Sequence, residues 1–299
     1  MLMYPSNPLR AACVILLLAC GLLTACGAAS TPGAGSTPQA PRSGAGGLTI
    51  FAASSLQEAM TALGEDWRAA HPGAAAPQYN FGGSQALLAQ LRQGAPADLF
   101  ATADKPTMDG AVAAGLVESL YPLARNSLVA VLPHDNPGHI TALADLARPG
   151  LKIVLADKSV PVGNYTLQML DNLATDPAYG ADFKRGVLAN VISQENNVRQ
   201  VLAKVQLGEA DAGVVYGTDA QAANHAAGGN TQPVATVPIP DAANVIAVYY
   251  VAVVKGGAQA DAARAFLAYA TGDGGQAVLG QFGFLPAAAT AAAPNGARP

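Results

Sequence analysis

Nothing downstream of Cys26 carries a thiol. Cys13, Cys20 and Cys26 all fall near the start of the 299 residues. The body of the chain therefore has no disulfide framework, no cysteine metal site and no cysteine nucleophile. Charge is scarce as well: Asp, Glu, Lys and Arg make up 12% of the residues, with a net charge of -4 and no Lys/Arg run. That balance excludes a nucleic-acid surface, and any bound anion must be held mostly by neutral donors. Only four histidines are present, His71, His134, His139 and His225, each in a Pro/Gly- or Ala-rich context. With no Gly-x-Ser-x-Gly elbow either, a serine hydrolase lacks its base and its turn. No fixed-period repeat is visible.

The chain is 51% hydrophobic, with 32 Gly and 21 Pro, enough for one large domain or two smaller lobes. Residues 1–25 read as a signal peptide. Arg10 supplies the charged region, and the apolar stretch Ala11 to Leu23 is too short to span a bilayer comfortably. It ends in Leu23-Thr24-Ala25-Cys26, which resembles the bacterial lipoprotein cleavage box. That resemblance implies lipidation at Cys26 and a stable membrane anchor of two or more acyl chains. Residues 26–47 are almost entirely Ala, Gly, Ser, Thr and Pro and read as a flexible tether; 287–299 has the same composition and reads as a disordered tail.

Between these ends strand-like and helix-like segments alternate, which argues for an α/β fold. Expected strands are Leu48–Ala52, Gln78–Phe81, Ala97–Ala101, Ser127–Leu132, Lys152–Leu155, Ala212–Tyr216 and Val245–Val254. The first leads directly into helical spacing at Leu56, Met60, Leu63, Trp67 and Ala70, with Ser55-Leu-Gln-Glu58 in capping-box form. Three further helix starts follow. Ser84 after Gly82-Gly83 is expected to cap one, Gly163 or Asn164 to open another, and Asn196 or Asn197 to cap the last, with Val198, Val201, Leu202 and Val205 on one face. Helix N-termini offer unpaired N–H groups and the positive end of the helix dipole, the equipment for holding an anion. A cleft between two lobes would bring all four together. The lobes are expected at 48–127 plus 255–286 and at 128–254, the runs 127–132 and 245–254 crossing between them.

Several stretches together resemble the periplasmic molybdate-binding proteins of molybdate ABC importers. They are Ala52-Ala-Ser-Ser-Leu56, Phe81-Gly-Gly-Ser84, Gly94-Ala-Pro-Ala-Asp-Leu-Phe100, Asn126-Ser-Leu-Val129, Pro161-Val-Gly-Asn-Tyr165, Val214-Val-Tyr-Gly-Thr-Asp219 and Gln281-Phe-Gly-Phe284. The resemblance implies a two-lobed type II periplasmic-binding-protein fold, with mixed sheets flanked by helices and the oxyanion in the interlobe cleft. Carried over by motif, the ligand-binding residues are the hydroxyls of Ser55 and Ser84, the main-chain N–H groups of Val162 and Val198, and Tyr216. It further implies a monomeric, extracytoplasmic receptor that takes molybdate or tungstate to an ABC permease, with no cofactor, no resident metal ion and no chemical step.

Molybdate is a fully deprotonated dianion, so a donor-only pocket suits it, whereas a partly protonated phosphate needs an acceptor. Sulfate, a small organic acid in the same fold, a serine-dependent hydrolase and a surface adhesin are the rival readings. Asp98, Asp104 and Asp219 read as caps or turn residues, Arg199 as a surface arginine, and Trp67 and Tyr165 as packing residues.

Overall fold

The computed structural model describes residues 46–226 and 232–287. The signal peptide, Cys26, nearly all of the tether and the tail beyond Ala287 lie outside the described residues, so the expectations made for them are not addressed. No helix among the described residues is long and apolar enough to cross a membrane.

The chain opens with β1 (Thr49–Ala53), a 3-10 turn at Ser54–Leu56 and α1 (Gln57–Ala70), then β2 (Gln78–Gly82), α2 (Ser84–Arg92), β3 (Leu99–Thr102), α3 (Lys105–Ala113) and β4 (Val117–Asn126). It next builds β5 (Leu128–Pro133), β6 (Ile153–Ala156), α4 (Pro161–Thr175), α5 (Phe183–Ala189), β7 (Val191–Glu195), α6 (Val198–Gln206), β8 (Ala212–Tyr216), α7 (Gly217–His225) and β9 (Val234–Pro238). It ends with β10 (Ala247–Val254), α8 (Ala260–Thr271), α9 (Asp273–Gln281) and β11 (Leu285–Pro286).

Two mixed sheets result. The first has the order β11-β4-β10-β3-β1-β2 and the second β7-β6-β8-β5-β9. In the first, β1 runs parallel to β2 and β3 while β10 is antiparallel to both its neighbours. In the second, β6 is parallel to β7 and β8, and β5 is antiparallel to β8 and β9. Each sheet with its helices is one lobe of a type II periplasmic-binding-protein fold. The helical spacing seen in sequence is the buried face in α1 (Met60, Leu63, Trp67) and in α6 (Val198, Val201, Leu202, Val205). Each such side chain contributes roughly 1.5–3 kcal/mol of apolar burial.

The lobe boundary differs from expectation at one end. Ala247–Val254 was assigned with 128–254 to the second lobe, but β10 sits inside the first sheet between β4 and β3. The return crossing is therefore the segment 239–246, and the outward crossing is Ser127 alone, between β4 and β5. Asn244 ties the return crossing to the start of β5, just past the outward crossing: its Oδ1 accepts from Leu128 N–H at 3.0 Å and its Nδ2 donates to Leu128 C=O at 2.9 Å.

Candidate functional site

Parallel strands end on one side of each sheet, and the turns that follow them meet between the lobes. The first lobe supplies the turns after β1, β2 and β3, and the second those after β6, β7 and β8. They line one small pocket between the lobes. Ser55, Ser84, Val162, Val198 and Tyr216 all line it, so the structure brings every motif-assigned residue to one place. No Asp, Glu, Lys, Arg or His is among its lining residues.

The local geometry differs from the capping expected of the serines. Ser55 does not cap α1; it lies inside the 3-10 turn, whose own N-cap is Ala53. Ser84 is the first residue of α2, and Gly83 is the cap. Helix α4 begins at Pro161, earlier than Gly163 or Asn164, because proline fits the first helical position where an N–H has no partner anyway. Asn197 does cap α6, accepting from Gln200 N–H at 3.1 Å. Neither serine hydroxyl is therefore spent on its own helix.

Each hydroxyl is instead set by a partner. Ser84 Oγ accepts from Ala103 N–H at 3.1 Å, which leaves its own proton free to donate. Ser55 Oγ lies 2.8 Å from the hydroxyl of Tyr249, a fully buried residue on β10. Burial pushes the Tyr249 hydroxyl well above its ordinary pKa, so it keeps its proton. Asn126 Nδ2 reaches Tyr249 Oη at 3.5 Å and donates to Thr218 Oγ1 at 2.8 Å. Asn126 Nδ2 as donor to Tyr249 Oη favours Tyr249 as donor to Ser55, which frees the Ser55 proton for another acceptor. Sequence reasoning passed over Tyr249; its only signal is a pair of adjacent phenols, Tyr249 and Tyr250, in an otherwise apolar strand.

Tyr216 closes the cavity from the second lobe. It is 1% exposed, packs edge-on against Tyr249, and its hydroxyl has no hydrogen-bond partner among the described residues. Burial, reinforced by Tyr249, drives its pKa well up, so this hydroxyl is a neutral donor. Leaving such a group unpaired costs about 1–3 kcal/mol, a cost removed when an acceptor arrives. Val162 and Val198 lie in the first turns of α4 and α6, where N–H groups have no intrahelical acceptor, and α4 has no side-chain cap at all. Three helix N-termini and three hydroxyls thus surround a small space with donors.

The carboxylates are otherwise engaged. Asp98 accepts from Thr49 and Gln259 N–H groups, both at 2.8 Å, and Asp104 caps α3 through Thr107 N–H at 3.2 Å. Burial raises the pKa of Asp104. Asp219 is completely buried and accepts from Tyr216 N–H at 3.3 Å, and its pKa is pushed up to about 6 by burial against the pull of Arg199. Among the described residues no cluster of His, Cys, Asp and Glu could hold a metal ion.

Arg199 is not the surface arginine expected. Its side chain is 22% exposed, and its guanidinium forks onto Glu58 of α1 and lies 2.8 Å from Asp219. Glu58 accordingly turns toward Arg199 instead of adding charge to the first turn. His225 borders a second, larger cavity that shares the Ser55 wall, but the Ser55 hydroxyl is bonded to Tyr249. His71 stacks on Trp67, away from both serines.

Comparison with known proteins agrees with this layout. Residues 48–285 match the family model for bacterial extracellular solute-binding proteins. A molybdate-binding protein of Mycobacterium tuberculosis is 41% identical over 246 residues, covering 82% of this chain and 86% of the relative. The periplasmic molybdate-binding protein of Azotobacter vinelandii superposes with a TM-score of 0.66 at 21% identity, covering 80% of this chain and 98% of that one. The sulfate-binding protein SubI of Mycobacterium tuberculosis shares the fold, with a TM-score of 0.70 at 22% identity over 80% of this chain and 86% of the other. The chain belongs to the bacterial extracellular solute-binding proteins and, within them, to the family of the periplasmic molybdate-binding proteins.

Proposed function

We propose that this protein captures molybdate, and tungstate with it, outside the cytoplasm and delivers it to the permease of an ABC importer. The observation that carries the reading is the Tyr216 hydroxyl, buried and unpaired, in a cavity walled by donors and free of carboxylates. An acceptor-only dianion satisfies every such donor, whereas a protonated anion would bring a proton with no carboxylate to take it and would use up a hydroxyl as acceptor. Kinship with molybdate-binding relatives supports the same ligand. Ser55, Ser84 and Tyr216 would donate from side chains, and Val162 and Val198 from the main chain. Since the donors come from both lobes, binding and lobe closure are one event, and the closed form is what the permease would recognise. The Cys26 box suits a lipid-anchored monomer that works beside its permease.

Titration calorimetry on the anion-stripped protein tests this. Molybdate and tungstate should bind tightly, and sulfate and phosphate far more weakly. Ser84→Ala should lose about 1.5–3 kcal/mol of molybdate binding, roughly ten- to hundredfold in Kd, as expected for a hydrogen bond to a charged group. Sulfate binding as tight as molybdate, or molybdate binding indifferent to Ser84→Ala, would overturn the reading.

A further inference from the structure

We propose that Glu58 and Arg199 form a latch across the cleft that sets how long a captured anion is retained. The two belong to different lobes, Glu58 to the first turn of α1 and Arg199 to the first turn of α6, next to Val198. Nη1 of Arg199 donates to Glu58 Oε1 at 3.0 Å and Nη2 to Oε2, a bidentate fork. Among the described residues this is the one ion pair that joins the lobes; every other lies within a single lobe.

The arginine is held ready by its own lobe. Its Nε faces Asp219 Oδ1 at 2.8 Å, and Asp219 is itself anchored by the N–H of Tyr216. Separating the lobes would leave Arg199 on Asp219 and return only Glu58, already 37% exposed, to water. The pair therefore needs little reorganisation to form and forms only in the closed state. It sits one residue from Val198 and three from Ser55, so closing on the anion and closing the latch are the same movement. A second contact seals the same approach, Gln85 Nε2 donating to Asn196 C=O at 2.9 Å across the cleft. A contact made only after the lobes have closed acts on dissociation more than on association, and removing one partner of this partly buried, hydrogen-bonded pair does the same. Glu58 and Arg199 touch each other and neither lines the pocket of Ser55, Ser84 and Tyr216, so they act as positioning residues.

This inference rests on the anion-receptor reading, and the experiment separates the two. Glu58→Gln keeps the shape and leaves Asp219 paired with Arg199, so the variant folds. Stopped-flow binding of molybdate, at low and high salt, is compared with wild type. Glu58→Gln should raise the dissociation rate about tenfold with an association rate within about twofold. Wild-type dissociation should speed up with added salt, and the variant's should not, a difference that loss of packing alone would not produce. Unchanged dissociation and unchanged salt dependence overturn the latch while leaving the receptor reading intact. If wild type binds no molybdate, the receptor reading fails. The latch is then tested by X-ray scattering of the unliganded protein, where a larger radius of gyration for Glu58→Gln supports it and equal radii overturn it.

Discussion

The Tyr216 hydroxyl makes two measurements move in opposite directions. Tyr216→Phe removes a buried donor that has no partner among the described residues, so the variant should be more stable by about 1 kcal/mol, visible as a higher Tm. The same change removes a donor to the anion, so the Kd should rise by roughly tenfold or more. A variant that loses both stability and affinity would mean that the hydroxyl has a structural partner instead. At this scale much of the candidate site was legible. Ser55 and Ser84 stand at strand-to-helix junctions that local spacing reveals, whereas Val162, Val198 and Tyr216 were picked out by motif resemblance alone. What stayed hidden depends on contacts between distant stretches. Tyr249 sets the Ser55 hydroxyl from 194 positions away, and Glu58 meets Arg199 across 141. No local pattern encodes those pairings, so Arg199 looked like any charged residue beside a turn.

Among elements, helix α2 begins where the two lobes touch. Gly83, its cap, has φ -64° and ψ 133°, backbone angles that alanine accepts freely. Space is what excludes a side chain there: an added Cβ would lie 2.4 Å from Asn196 C=O of the other lobe. Gly83→Ala should therefore let each lobe fold while forcing the two apart, with stability changed by no more than about 1 kcal/mol, because alanine also restricts the unfolded chain. The same variant should bind molybdate about tenfold or more weakly, since the methyl group props the cleft open. Thermal melts and calorimetry on one preparation check both halves, and an unchanged Kd would sink the idea. Helix α4 shows the same principle within a lobe. A Cβ on Gly163 would meet Asp157 C=O at 2.1 Å, so glycine lets the helix start pack against the preceding turn. Element legibility varied for physical reasons. The short apolar strands β1, β5, β6 and β8 were readable. β4, ten residues long, was not, because Pro122 interrupts it and its polar residues alternate irregularly. The proline is tolerated where the register with β10 shifts, between Tyr249 and Tyr250.

For the whole molecule, the buried charge at Asp219 couples acidity to stability. Its pKa rises from 3.8 to about 6, chiefly through burial. A carboxyl that binds its proton more tightly when folded contributes stability that is full below its unfolded pKa and is lost as pH rises through the folded one. Asp219→Asn has no such dependence. The stability of the variant relative to wild type should therefore shift in the variant's favour by about 1 kcal/mol between about pH 5 and about pH 7. Thermal melts at both values measure it, and an identical difference at the two would mean that Asp219 ionises like an exposed carboxylate. The overall α/β class was readable from alternation, whereas the crossing that returns before β10 was not, since Val245–Val254 is apolar enough to suit either lobe. That crossing has a mechanical consequence. Asn244 rivets it to Leu128 by two bonds, so the lobes are joined by a pair of coupled straps in place of two independent strings. A hinge cross-tied in this way resists independent twisting of either strap and favours rocking of one lobe against the other.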